Sequence, residues 1–378
     1  MNRIYFDNAA TTMTHSTVLE KALELYKNDG YFNPSALYNP ARNVKKNIEE
    51  VRKKVLSLFP GNYDLVFTSG GTESDNLAIS SFARRGNVVA TAGEHSAVYN
   101  SLTFLKQNGV EPRFAKLNKD GSVDVNSLLD LVDDKTTFVT VTHVNNETGA
   151  INDVNSIAKL VKQKNSKVIF HTDGVQSFLK IPYRISNDID MYSFSAHKVC
   201  ALKGVGGLIY KKNLSLKPLF FGGGQEKNIR SGTENTLGIY ALGFAIEEFK
   251  NVDVNFNHVK ALNVCFKKEL ANEVTVISSE NASPYIVSFS IPGVKAEIMQ
   301  RVLDDNGLLL GTGSACSSKL GVSRIISNCG LDKRVADGVL RASFIYSSTL
   351  EEVLLATEII KKCAQKLKVV LKWKKSLL

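Results

Sequence analysis

The segment Ser193-Phe194-Ser195-Ala196-His197-Lys198 follows an apolar, strand-like run, Ile189-Asp190-Met191-Tyr192, and so places a lysine at the end of a buried strand with hydroxyls and an imidazole beside it. An ammonium in a protein core is costly unless it is paired or loses its proton, and a lysine without its proton is a nucleophile toward aldehydes. The plainer reading is a lysine that is simply the first exposed residue after a strand. Two other strand ends weigh against it. Asp173 closes the β-branched and aromatic run Val168-Ile169-Phe170-His171-Thr172, where a carboxylate can hold a pyridine nitrogen protonated. Phe67-Thr68-Ser69-Gly70-Gly71-Thr72-Glu73-Ser74 passes from a strand through two glycines into a helix start, so the N–H groups at Gly71 and Thr72, with the helix dipole, form a phosphate cradle. An amine, a ring-nitrogen partner and a phosphate cradle together fit pyridoxal 5'-phosphate (PLP), with Lys198 as its Schiff-base lysine.

Eight segments, SGGTESDN, EHSAV, HVNNETGAI, HTDGVQS, SFSAHK, GGGQEKNIRSGTEN, GTGSACSS and LRAS, follow one another from Tyr5-Phe6-Asp7-Asn8-Ala9-Ala10 onward. Their order and spacing resemble those of cysteine desulfurases of the NifS/IscS type, class V members of the fold-type I PLP enzymes. The resemblance implies that His95 stacks on the pyridine ring and moves protons. It places Asn146 near the cofactor's phenolic oxygen and the substrate, and Gln176 on that oxygen. Ser195 and His197 resemble the phosphate-binding pair beside the lysine. Thr233, after the glycines Gly222 to Gly224, is implied to reach the cofactor of a neighbouring subunit, which makes a homodimer the expected state. Arg341 stands inside a strand-like run, where its guanidinium suits the carboxylate of an amino-acid substrate or, alternatively, a protein carboxylate.

Cys316 separates this reading from other PLP chemistry. Glycine and serine flank it on both sides in Gly311-Thr312-Gly313-Ser314-Ala315-Cys316-Ser317-Ser318, which argues for a mobile, exposed loop. The resemblance implies that its thiolate attacks the sulfur of L-cysteine, leaving L-alanine and a Cys316 persulfide. The sulfur then passes to an acceptor protein or tRNA-modification enzyme, for iron–sulfur cluster assembly, tRNA thiolation or other transfer. An aminotransferase has no need of such a cysteine, and a degenerate scaffold has no need of Lys198 or Asp173. The chain departs from the family where Cys200-Ala201-Leu202-Lys203-Gly204 replaces a Gly-Pro-Lys-Gly stretch, and its C-terminal tail lacks the scaffold-engaging extension of housekeeping members.

Short apolar strands alternating with helices must position these residues: Val88 to Thr91, Thr137 to Val144, Lys167 to Phe170, Met191 to Ser195 and Gly206 to Tyr210. That alternation predicts an α/β fold with a mainly parallel sheet covered on both faces and ligands at the C-terminal strand ends. Taken with the resemblance, the expected architecture is a fold-type I PLP-dependent transferase with a seven-stranded sheet. Residues 13–253 form the expected large PLP-binding domain. Residues 1–12 and 254–378 form a smaller α+β domain carrying the cysteine loop, with strands at Val274 to Ile277, Ile286 to Ile291 and Leu340 to Ile345 and a last helix begun by a capping box at Ser348-Thr349-Leu350-Glu351.

At 378 residues the chain has room for about two domains. With 43% hydrophobic and 22% charged residues, no signal-peptide core and no run near the ~20 apolar residues of a membrane span, a cytoplasmic protein is expected. The net charge of +10 is diffuse except for seven lysines after Ile360, read as a solvated helix face, so direct nucleic-acid binding is not expected. The five cysteines show no disulfide or zinc spacing, no metal is expected, and Cys200, Cys265, Cys329 and Cys363 are assigned to packing.

Overall fold

The computed structural model describes residues 3–313 and 321–376. After a short first strand, β1 (Ile4–Phe6), seven strands form the larger sheet: β2 (Tyr63–Thr68), β3 (Asn87–Thr91), β4 (Glu111–Ala115), β5 (Thr136–Thr140), β6 (Ile169–Asp173), β7 (Met191–Ser195) and β8 (Gly206–Lys211). Their spatial order is β2-β8-β7-β6-β5-β3-β4. The pairs from β7 across to β4 are parallel, and β8 runs antiparallel to both β2 and β7. The expected seven-stranded, mainly parallel sheet is therefore present.

Alternation along each strand explains why both faces are covered. On β3, Val88 and Ala90 pack with Leu77, Ala78, Val98 and Leu102, whereas Val89 packs on the opposite side with Val139, Ile157 and Val161. Fully burying a valine or leucine contributes about 1.5–3 kcal/mol, so the helices are held to the sheet mainly by these faces. Strand β4 was not expected from its sequence, EPRFA. Pro112 cannot donate to a ladder, and it is tolerated because β4 lies at the edge of the sheet.

The second sheet comprises β9 (Thr275–Val276), β10 (Ile286–Ser290), β11 (Leu308–Thr312) and β12 (Val339–Ser343), and β1 joins it in the order β1-β11-β12-β10-β9. Only the β1–β11 pair is parallel among the described strands of this sheet. Three leucines directly after a helix, Ala296–Asp305, carry no periodicity that separates strand from helix, which is why β11 was not foreseen. The capping box of the final helix, Leu350–Ser376, lies one residue later than expected. The Glu352 N–H donates to Thr349 Oγ1 (3.1 Å) and the Thr349 N–H to Glu352 Oε2 (2.8 Å), while Ser348 Oγ accepts from the Ile345 N–H (3.1 Å). Both Ser348 and Thr349 satisfy the sequence pattern, and only Thr349 faces the first helical turn.

Two ties between elements matter for the site. Arg52, buried in the helix Asn39–Leu56, donates to both Glu226 oxygens (2.7 and 3.0 Å), and Glu226 Oε2 accepts the Phe67 N–H (2.8 Å), which fixes the end of β2. Beyond β1 the chain crosses to the turn after β7. There the Thr12 N–H donates to the His197 carbonyl (2.9 Å), Thr12 Oγ1 accepts the Cys200 N–H (2.8 Å), and Thr14 Oγ1 donates to the Ala201 carbonyl (3.2 Å). Cys200 stands at φ +56°, a left-handed conformation costing a non-glycine residue roughly 1–2 kcal/mol, and these bonds are what hold it. The unusual Cys200-Ala201-Leu202 stretch is thus braced by the N-terminal segment.

Candidate active site

The ends of β6 and β7 and the turn after β2 face a cavity of about 350 Å³. Gly71, Thr72, His95, Asn146, Asp173, Gln176, Ser195, His197, Lys198 and Arg341 all line it. Of the residues selected from the sequence, Thr233 does not: it is exposed in a separate depression with Thr68, Ser69 and Gly204. Cys316 lies outside the described residues, but Thr312 and Gly313, at the end of β11, form part of the cavity wall. A wider groove of about 790 Å³ lies beside Ser57–Pro60, and its charged groups, Arg184, Lys250 and Asp253, are all exposed.

Lys198 sits in the short 3₁₀ turn Ala196–Lys198 that ends β7. Its Nζ donates to the carbonyls of Ala9 and Ala10, both at 2.6 Å, so the crossing N-terminal segment supplies acceptors for the ammonium. Gln176 Nε2 shares the Ala9 carbonyl at 2.8 Å. The His197 Nδ1 lies 3.1 Å from Thr11 Oγ1, and burial, followed by the charges of Lys198 and Lys180, lowers the ring's pKa to about 4.

Asp173 is buried and accepts the Val175 N–H on Oδ1 (2.9 Å). Burial raises its pKa, with His95 and Lys198 opposing, so a cation placed against it would return it to the charged form. His95 is the N-cap of the helix Ser96–Leu105, and its Nδ1 accepts the Ala97 N–H at 3.1 Å. Because a backbone N–H only donates, the neutral ring carries its proton on Nε2. Burial lowers the His95 pKa, so the neutral form is favoured. Under these groups lie two further carboxyls. Asp75 is raised well above the usual range by burial and then by Asp173; burial also pushes Glu94 up to about 8. Burial thus disfavours a negative charge on both, and Asp173 differs from them in having His95 and Lys198 to favour its charged form.

The phosphate turn fits its expected use. Gly70 precedes the helix Gly71–Phe82 without any side-chain cap, leaving first-turn N–H groups directed at the cavity edge. A Cβ on Gly71 would come within 2.6 Å of Val175 Cγ2, so any side chain there would have to displace Val175. Among the described residues, Asp75 Oδ1 and Arg341 Nε, both on this cavity wall, are buried without a hydrogen-bond partner, although His171 Nε2 stands 3.7 Å from the former. A lysine, a buried carboxylate, an imidazole and an uncapped helix start around one cavity form a donor set that fits PLP.

Arg341, on β12, donates through Nη1 to the Asn146 carbonyl (2.7 Å) and through Nη2 to Asp7 Oδ1 (2.6 Å). The ion pair with a protein carboxylate is thus present. Glu147, next to Asn146, is buried, accepts from Ser323 Oγ, and is pushed up to about 7 by burial. Arg324 donates to the carbonyls of Ala92 and Glu94 and lies over the Tyr99 ring at 3.9 Å, joining the second sheet's side to the loop that carries His95. Sequence reasoning missed Asp75, Glu147 and Arg324. The first two had a signal, since Asp75 stands one helical turn after Gly71 and Glu147 adjoins Asn146; Arg324 had none. Cys200 and Cys329 are buried, and burial pushes their thiols up to about 11 and about 12, which suits packing.

This lysine-bearing cavity at the strand ends of a seven-stranded α/β sheet defines a fold-type I PLP enzyme. Residues 4–355 match the family described as aminotransferase class-V, and the chain belongs to it. It is 34% identical to the cysteine desulfurase IscS of Clostridium botulinum, with 96% of this chain and 94% of that protein covered. Among solved structures, a NifS-like protein superposes with a TM-score of 0.89 at 31% identity, covering 97% of this chain and 100% of that one. A structure described as SspA in complex with cysteine superposes with a TM-score of 0.79 at 28% identity, covering 91% and 99%.

Folding raises the Glu94 pKa from 4.5 to about 8, so the unfolded chain loses this proton first and the group weakens the fold progressively as pH rises from the unfolded value to the folded one. Glu94→Gln should therefore gain stability relative to the parent protein by about 2 kcal/mol between about pH 5.5 and pH 7.5. Urea unfolding of both proteins at the two pH values checks this; a difference that does not change with pH would show that Glu94 is ionised in the fold.

Proposed function

We propose that the protein is a PLP-dependent cysteine desulfurase that converts L-cysteine to L-alanine and carries the sulfur on Cys316. The observation that carries this reading is the convergence of Lys198, Asp173 and the uncapped helix start at Gly71 on one cavity that Arg341 also lines. The similarity to named cysteine desulfurases over nearly the full chain supports it. When bound, PLP supplies an aldehyde that condenses with amines and a protonated ring that draws electrons from the substrate's α-carbon.

The residues would divide the work as follows. The N–H groups at Gly71 and Thr72, with Ser195 and His197, would hold the phosphate; Asp173 would keep the ring nitrogen protonated. His95 would lie against the ring and exchange protons at Nε2, because its Nδ1 is occupied by the Ala97 N–H. Asn146 and Gln176 would bind the phenolic oxygen. Lys198 would move off the Ala9 and Ala10 carbonyls to act as nucleophile and then as proton carrier. Arg341 would take the substrate carboxylate with Nε and Nη2, exchanging its bond to Asp7 for a bidentate one. The Cys316 thiolate would then attack the substrate sulfur: the carbon–sulfur bond breaks with its electron pair left on the substrate's β-carbon, a sulfur–sulfur bond forms, and a proton taken up at that carbon completes alanine.

The exposed position of Thr233, away from its own chain's cavity, supports a homodimer in which it reaches the partner's site, and the mass of the holoprotein by light scattering tests the dimer. The sulfur acceptor is proposed to be a protein or tRNA-modification enzyme in the cytoplasm; among the described residues no helix is long and apolar enough to cross a membrane.

Cys316→Ser should retain the visible absorption of bound PLP but lower sulfide release from cysteine by at least about a hundredfold, because a hydroxyl is a poor nucleophile toward sulfur and cannot store it. Sulfide assay and intact-mass analysis of the persulfide test this. A wild-type rate, or a persulfide on another cysteine, would count against the assignment.

A further inference from the structure

Lys180 is a buried lysine whose amine has no task in the proposed division of work. It is 2% exposed, and it follows Gln176 by four residues on the chain leaving β6. Its Nζ donates to Gln176 Oε1 at 3.1 Å and lies 5.9 Å from the centroid of the Tyr285 ring. The other end of the same amide, Gln176 Nε2, donates to the Ala9 carbonyl, which also accepts from Lys198. An amide side chain can turn either end toward a neighbour, but an ammonium offers donors only and selects the oxygen end. A buried lysine that does nothing would be costly to keep, since burial, followed by the charge of Lys198, lowers its pKa to about 7.

We propose that Lys180 is a positioning residue: by holding the Gln176 carbonyl oxygen it fixes the amide so that the N–H end faces the cavity and an oxygen of the cofactor. This rests on the PLP reading above. An apolar side chain at 180 would remove one of the two contacts that select the amide's orientation, the other being the Ala9 carbonyl, and an amide turned over would present its oxygen to that cofactor oxygen, replacing a hydrogen bond by a repulsion.

The test is a double-mutant cycle read by titrating each apoprotein with PLP, with thermal melting of the apoproteins as the control for folding. Lys180→Met and Gln176→Leu should each weaken PLP binding about tenfold, and the double variant should be within about twofold of the weaker single variant. If Lys180→Met does not fold, Lys180→Gln stands in; it can present either amide end and should bind PLP about threefold more weakly than the parent. Additive losses, or parental affinity in the folded Lys180 variant, would overturn the role. A parent protein that does not bind PLP would instead contradict the proposed cofactor.

Discussion

The site depends on the bond between Lys198 and the backbone carbonyls of Ala9 and Ala10. Lys198 belongs to the end of β7 in the larger sheet, whereas Ala9 and Ala10 follow β1, a strand of the smaller one. The N-terminal segment therefore links the two sheets at the point where the reactive amine sits. Its other bonds, from Thr12 to His197 and Cys200 and from Thr14 to Ala201, stabilise a turn that would be strained by itself. Asp7, in the same segment, pairs with Arg341. One stretch of chain thus holds both Lys198 and Arg341, so the two side chains are positioned relative to one another.

Burial sorts the titratable groups into roles. Burial raises the pKa of Asp75 and pushes Glu94 up to about 8, and it lowers that of His171, between Thr140 (2.8 Å) and Ser193 (2.9 Å), to about 3. Asp173 is raised by the same desolvation, but the charges of His95 and Lys198 oppose the shift there. Asp173 is therefore a carboxyl whose charge depends on a cation brought against it, which is the behaviour a ring-nitrogen partner needs.

Much of this was legible in the sequence because strand ends announce themselves. Asp173, Ser195 and Lys198 close β-branched or aromatic runs, and the Gly70-Gly71 turn leads from a strand into a helix; all reach the cavity. What escaped depends on tertiary placement. Pro112 disguised an edge strand, the leucines of β11 carry no period, and Arg324 is far in sequence from the Ala92 and Glu94 carbonyls it holds. Lys180 illustrates the same limit: nothing in Ser177-Phe178-Leu179-Lys180 says that the chain turns the lysine inward, and only packing against Tyr285 and Gln176 shows it. Cys316 was read from its glycine and serine neighbours and lies outside the described residues.

The central claim is that Lys198, and not another amine near the cavity, forms the covalent link to PLP. Reducing the PLP-loaded protein with borohydride, digesting it and mapping the cofactor-derived mass by mass spectrometry tests this directly. The account predicts the mass on the peptide that contains Lys198. The same mass on the peptide containing Lys180, or on no lysine at all, would contradict it.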